Sequence, residues 1–398
     1  MNLITKMKHN KNMTKEEFVK SLSNVKIVFG NGADLYCGLK TKYSDYFETK
    51  KTYYSNIIRL FNEFKAQYDI ENNPKELFRL LQCGFGYNPS LVKNIWDVLF
   101  CLSFANNNNN VLWCDVELKI HNSFIKKSAI EKGCVDFSII HWDIVNELVH
   151  DYNRSTHASP EELFVAMISN IICEEKNDKG YYNFYSFLKY ELIRFEYLFG
   201  LYIEEVTAHT SDLEKKQKDL LNVLSNINQV VSIDTFNYSD FYGAPDSALP
   251  RHINGTFVSP IFGIDRSLDE YENNFLSNEA FNYFKTSRRM DQELIQNNIT
   301  KQENFDNVIV FGHSLNKQDY SYFYPILDRI KASDSTSNSC FVVAYHIYDE
   351  TKADSIRLNI KNSIVNLFST YEKEHLGLRD ARLLDFLTTQ NRIILYQI

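Results

Sequence analysis

Several short stretches of this chain combine small, polar and ionisable residues in ways that suit nucleotide chemistry. In VKIVFGNGAD (25–34), an apolar run leads into Gly30, Asn31, Gly32, Ala33 and Asp34. A strand that turns on glycines into a helix is a phosphate cradle, because backbone N–H groups approach the anion and the helix start adds partial positive charge. The spacing falls short of a full G-x-G-x-x-G, and a tight turn without a ligand uses the same residues. NVIVFGHSLNKQD (307–319) has a similar shape, with Gly312, His313, Ser314 and Asn316 after an apolar run and Asp319 read as one turn into the next helix. Polar residues there would line a ligand crevice, although Ser314 and Asn316 would also serve as helix caps. In TFNYS and RHING (235–239 and 251–255), Asn237 and His252 stand near strand ends. An amide and an imidazole can together orient and deprotonate a hydroxyl or a water, and a loop amide beside a surface histidine is the plainer alternative. In VLWCDVELKI (111–120), Trp113, Asp115 and Glu117 alternate. Two carboxylates on one face of a strand, or meeting obliquely on a helix, can bind metal; a solvated acidic face is the simpler reading.

These residues need a scaffold. Short apolar runs at 25–29, 230–238, 255–264, 307–314, 339–348 and 392–398 read as strands, with helical spacing between several of them. Residues 53–105 and 111–229 are mainly helical in pattern, and SPEELFVAMISNII starts with Ser159 as N-cap and Pro160 at the first helical position. A polar lead at 1–24, an α/β core from 25–52 and 230–398, and a mostly helical insertion at 53–229 are the expected organisation.

Bulk composition narrows the function. The chain has 398 residues, 44% of them hydrophobic and 14% aromatic, enough for a sizeable core. A net charge of -8 gives no broad reason to bind nucleic acid. No apolar run is long enough for a membrane span, and the polar N-terminus gives no sign of a signal peptide. Seven scattered cysteines without a C-x-x-C pair fit reduced thiols, a cytoplasmic setting and no structural metal.

Taken in order, GNGADLYCGLKTKYSDYF, WCDVE, TFNYS, HINGT, IFGID and FGHSLNKQDYSYF resemble the AbiH family of bacteriophage abortive-infection proteins. That family is in turn distantly similar to sirtuin-like NAD-binding domains: Gly30, Asn31 and Gly32 match a G-A-G turn, Thr235, Phe236 and Asn237 match T-Q-N, and Gly312 and Ser314 match a late glycine turn. The resemblance implies a Rossmann-like, sirtuin-like parallel sheet with a large helical insertion. It also implies an antiphage protein that binds NAD and hydrolyses its nicotinamide–ribose bond without a metal. Gly30 to Ala33 would hold the pyrophosphate. Asp34, Ser314 and Asn316 would contact ribose hydroxyls, with Gly312, His313 and Asp319 in the same binding turn. Asn237 would orient the ribose or the attacking water, and His252 would act as base.

Two departures stand out. Asn254 occupies the position before the glycine where the family has histidine, and Ser239 stands where sirtuins carry aspartate. A non-catalytic sensor of a nucleotide or phage component is therefore a competing expectation, and a metal-dependent nuclease using Asp115 and Glu117 is a third. A phage-encoded trigger and a homo-oligomer are the further partners expected.

Overall fold

The computed structural model describes residues 13–71, 94–106, 114–125, 140–150, 158–176, 183–264, 278–290, 304–378 and 382–398. The chain forms two compact units, one from Met1–Thr41, Gly200–Pro260 and Gln292–Ile398, the other from Lys42–Phe199 and Ile261–Asp291.

The first unit is built on strands β1 (Val25–Phe29), β2 (Val230–Thr235), β3 (Pro250–His252), β4 (Asn307–Phe311), β5 (Phe341–Tyr345) and β6 (Ile393–Gln397). They form one sheet in the order β3-β2-β1-β4-β5-β6, every neighbour pair parallel. β1, β4 and β5 are near-continuous apolar runs and are buried throughout, as strands covered on both faces must be. Alternate side chains go to opposite faces. Val25, Ile27 and Phe29 join Phe18 and Val19 of the Lys15–Lys20 helix and Leu220, Leu221 and Leu224 of the Leu213–Leu224 helix. Val28, Val308 and Val310 join Phe323 and Leu327 of the Tyr320–Arg329 helix and Leu367 and Phe368 of the Ala353–Thr370 helix. Helices thus cover both faces, and the strand order reverses between β1 and β4, as in doubly wound dinucleotide-binding sheets.

The second unit is helical where described, with helices at Lys51–Glu71, Ile95–Asn106, Cys114–Ser123, Trp142–His150 and Pro160–Lys176, and the first part of a long helix, Phe184–Ala208. Ser159 caps as expected: its Oγ accepts from the Glu162 N–H and its own N–H donates to Glu162 Oε2. The core is aromatic, with Trp96 edge-on to Trp142 and Phe262 set against Phe195 and Phe199. Glu196 holds residues 261–264 by accepting from the Phe262 N–H (2.7 Å) and from Arg288. Among the described residues of both units, no helix is long and apolar enough to cross a membrane. Cys37 and Cys340 are free, buried thiols.

Two sequence expectations are corrected. Residues 255–264 form turns and unpaired chain, apart from one bridge from Ile264 to Phe284, and are not a strand. Pro260 within the run has no N–H for a ladder. The strand instead lies at Pro250–His252, a short edge strand with proline as its first residue, where proline is tolerated. Asp319 lies immediately before the Tyr320–Arg329 helix, at its N-cap, and not one turn inside it.

Candidate functional site

The two glycine turns lie against each other at the carboxyl ends of β1 and β4. Gly30 N–H donates to the Phe311 carbonyl (3.0 Å), Gly32 N–H to the Gly312 carbonyl (2.9 Å), and Ala33 N–H back to the Gly30 carbonyl (2.9 Å). A Cβ on Gly32 would sit 2.5 Å from Gly312 Cα, and one on Gly30 would sit 2.5 Å from His313 Cα. Gly312 also has φ +68, a conformation that favours glycine. The glycines therefore serve backbone-to-backbone approach, and three N–H groups expected to face a phosphate are engaged within the protein. Asn31 opens the short Asn31–Tyr36 helix, and its Oδ1 accepts from Thr41 Oγ1 (2.6 Å).

Asp34 is buried beside this turn and gathers donors from β2's exit. Asn237 Nδ2 donates to Oδ1 (2.9 Å), and Ser239 Oγ lies 2.7 and 2.8 Å from the two carboxylate oxygens. Burial pushes the Asp34 carboxyl up to about 6, against the opposing effect of these hydrogen bonds. Asn237, two residues past the strand, is held further by its N–H to Thr235 Oγ1 (3.1 Å). With Nδ2 committed to Asp34, the carboxamide oxygen is left as the acceptor.

His252 ends β3, with Nδ1 3.2 Å from the Asn237 carbonyl oxygen and Nε2 3.6 Å from Asp240 Oδ1. A carbonyl only accepts, so Nδ1 carries the proton and Nε2 carries the lone pair. Burial lowers the imidazole's pKa, so the ring is neutral near pH 7. Asn254 is buried nearby in sequence and offers no titratable group.

His313 is arranged the opposite way. The Leu315 N–H donates to its Nδ1 (2.9 Å), which leaves Nε2 carrying the proton 3.4 Å from Asp319 Oδ2, and Phe236 packs against the ring. Both nitrogens are occupied in shaping the turn. Ser314 is exposed beside it. Asn316 precedes a short 3-10 turn but makes no side-chain cap, and its Nδ2 is buried with no hydrogen-bond partner among the described residues. The fold thus brings Gly30–Asp34, Asn237, His252 and Gly312–Asn316 to one edge of one sheet.

Thr41, Asp240 and Tyr348 were not singled out by sequence, and Ser239 only as a missing acid. Ser239 puts its hydroxyl on the Asp34 carboxylate. Tyr348 donates to the Gly32 carbonyl (3.0 Å) while its ring stays exposed. Thr41 and Ser239 both lie inside the quoted motif stretches, which was the available signal. Directly behind the site, Asp234 at 0% exposure pairs with Lys26 (2.7 Å) and Arg251 (2.6 Å) and accepts from Tyr322.

Positions 115 and 117 lie on the Cys114–Ser123 helix, where two residues apart means different sides, and Trp113 lies outside the described residues. Glu117 is buried and paired with Lys285 (2.8 Å). Among the described residues, no three His, Cys, Asp or Glu side chains converge in a way that could hold a metal ion.

The sheet order, with polar side chains gathered where it reverses, defines a doubly wound, Rossmann-like α/β protein. The family model for bacteriophage abortive infection AbiH matches residues 26–341, and the chain belongs to that family. No curated protein and no solved structure matches it.

Proposed function

We propose that this abortive-infection protein binds NAD at the carboxyl edge of the sheet and hydrolyses its nicotinamide–ribose bond, lowering NAD in infected cells. The observation that carries this reading is the placement of His252 on Asn237: the imidazole Nδ1 lies 3.2 Å from the Asn237 backbone carbonyl, its Nε2 lone pair lies 3.6 Å from Asp240 Oδ1, and the Asn237 side-chain amide is fixed on Asp34. Asn237 Oδ1 accepts from a ribose hydroxyl. A water gives a proton to His252 Nε2 as its oxygen bonds to the anomeric carbon. The carbon–nitrogen bond breaks, and nicotinamide leaves with the electron pair as a neutral molecule. The leaving group starts cationic, so no acid is required, and the protein's task is positioning and exclusion of bulk water. Because the glycine N–H groups are engaged, the pyrophosphate is assigned to the Asn31 and Ser314 side chains at the rim of the turns, with Asn316 reaching a ribose hydroxyl.

The second reading, a nucleotide sensor without turnover, is favoured by one observation: Asn254 stands where the family has histidine. The two readings separate in cells. Phage infection of cells carrying the wild-type chain is expected to lower NAD, and His252→Asn is expected to abolish both that fall and the protection. Protection that persists with His252→Asn at unchanged NAD would establish the sensor.

A further inference from the structure

The long helix Phe184–Ala208 carries a line of exposed large side chains: Tyr190 (41%), Ile193 (48%), Tyr197 (58%) and Leu201 (44%). Successive steps of three, four and four residues keep them on one face of a helix. Side chains of this size in a continuous row are unusual on a surface facing only water.

The centre of the row is symmetric about Tyr197, and Tyr190 lies outside that symmetric part. Ile193 and Leu201 lie four residues to either side of it. The half before it carries Lys189 and Arg194, the latter also 3.7 Å from the buried Glu191, and the half after it carries Glu204 and Glu205. A helix with this centred Ile193–Tyr197–Leu201 trio and two ends of opposite charge is complementary to itself in the antiparallel sense, with Tyr190 level with Glu204 of the second copy. Running two copies against each other puts Tyr197 beside Tyr197, Ile193 level with Leu201, and each basic half beside an acidic half. Parallel pairing would set like charges together.

We infer that this face is the contact between two copies of the chain, packed antiparallel about a twofold axis at Tyr197. A twofold contact uses the same patch on both partners, which is what this sequence of side chains supplies. Ion pairs at its rim fix the direction, and the apolar centre supplies the affinity.

The geometry makes the test specific. On the axis, the two copies of position 197 come within disulfide reach. Ile193 and its symmetry mate are separated by about 12 Å along the helices, from about 1.5 Å rise over eight residues, and are out of reach. The full chain is expected to sediment at about twice its 46.7 kDa. Tyr197→Glu, which sets two carboxylates together on the axis, is expected to give monomer with an unchanged far-ultraviolet spectrum. Under mild oxidation, Tyr197→Cys is expected to cross-link far more than the unsubstituted chain. Ile193→Cys alone is expected to match the unsubstituted chain, and Ile193→Cys mixed with Leu201→Cys to cross-link. A wild-type chain that stays monomeric at its highest soluble concentration would overturn the inference. So would a dimer that survives Tyr197→Glu, or an Ile193–Ile193 link as strong as the Tyr197–Tyr197 link. Should Tyr197→Glu fail to fold, the cross-linking pattern decides alone.

Discussion

The amide of Asn237 donates to the buried carboxylate of Asp34 across 2.9 Å, although 203 residues separate them in the chain. This contact joins the exit of β1 to the exit of β2 and fixes which way the amide faces. Truncating Asn237 to alanine removes both the acceptor assigned to the ribose and one donor to a buried carboxylate. The variant is expected to lose nicotinamide release and about 1–3 kcal/mol of stability, the cost of leaving a buried polar group short of a partner. Urea unfolding beside the activity assay separates the two effects, because a stability loss of that size leaves the chain folded in buffer.

Asp34 makes stability depend on pH with a definite sign. Its carboxyl is raised from 3.8 to about 6 in the folded state, so the unfolded chain ionises first as pH rises. Stability is highest below the unfolded value, falls as pH climbs through that window, and the full cost of about 3 kcal/mol is present above about pH 6. Between pH 5 and pH 7, wild type is expected to lose about 1 kcal/mol more than Asp34→Asn, measured by denaturant unfolding at both pH values. Equal losses would show that Asp34 ionises as freely in the fold as outside it.

His252 gives a second pH signature. Its pKa is lowered from 6.5 by burial, and the base form is the unprotonated one. Nicotinamide release is therefore expected to hold steady down through neutral pH, with a histidine-dependent acid limb below pH 6.5. An acid limb centred above 6.5 would assign the proton acceptor elsewhere.

The touching turns leave no room for a methyl group. Gly32→Ala would press its Cβ to 2.5 Å from Gly312 Cα, where backbone faces backbone, and is expected to cost about 1–3 kcal/mol or more. Gly377→Ala meets nothing within 4 Å and carries only the penalty of a positive φ, about 1 kcal/mol. Thermal midpoints of the two variants are expected to fall in that order.

Removing the Asp234 carboxylate is expected to be the most destabilising change away from the site. Asp234→Ala leaves Lys26, 1% exposed, without the 2.7 Å ion pair, and losses of about 3–5 kcal/mol follow when one partner of a buried pair is removed. Lys26→Met in the same background is expected to restore part of that loss, read by unfolding of the double variant.

Much of the scaffold was legible in the sequence. VKIVF, NVIVF and FVVAY are buried on both faces, so each appears as an unbroken apolar run that local pattern finds. β3 escaped because three half-buried residues starting with proline show no such run, whereas the apolar residues of 255–264 pack without a ladder. The residues of the site were also visible, since each sits in a short polar motif after a strand. Their relations were not. The approach of Gly32 to Gly312, the Asp34–Ser239 contact and the opposite tautomers of His252 and His313 all depend on segments far apart in the chain meeting at one sheet edge. Ser239 illustrates the limit: alone it reads as a missing acid, and only the fold shows that Asp34 brings a carboxylate to it.

The most direct measurement is nicotinamide release from NAD by the purified chain, with Asn237→Ala and His252→Asn alongside and with extract of phage-infected cells added to one series. Release by wild type, alone or with that extract, and none by either variant is the expected result. Release that persists unchanged in both variants, or none from wild type under either condition, would contradict the assignment of this strand edge as an NAD-cleaving site.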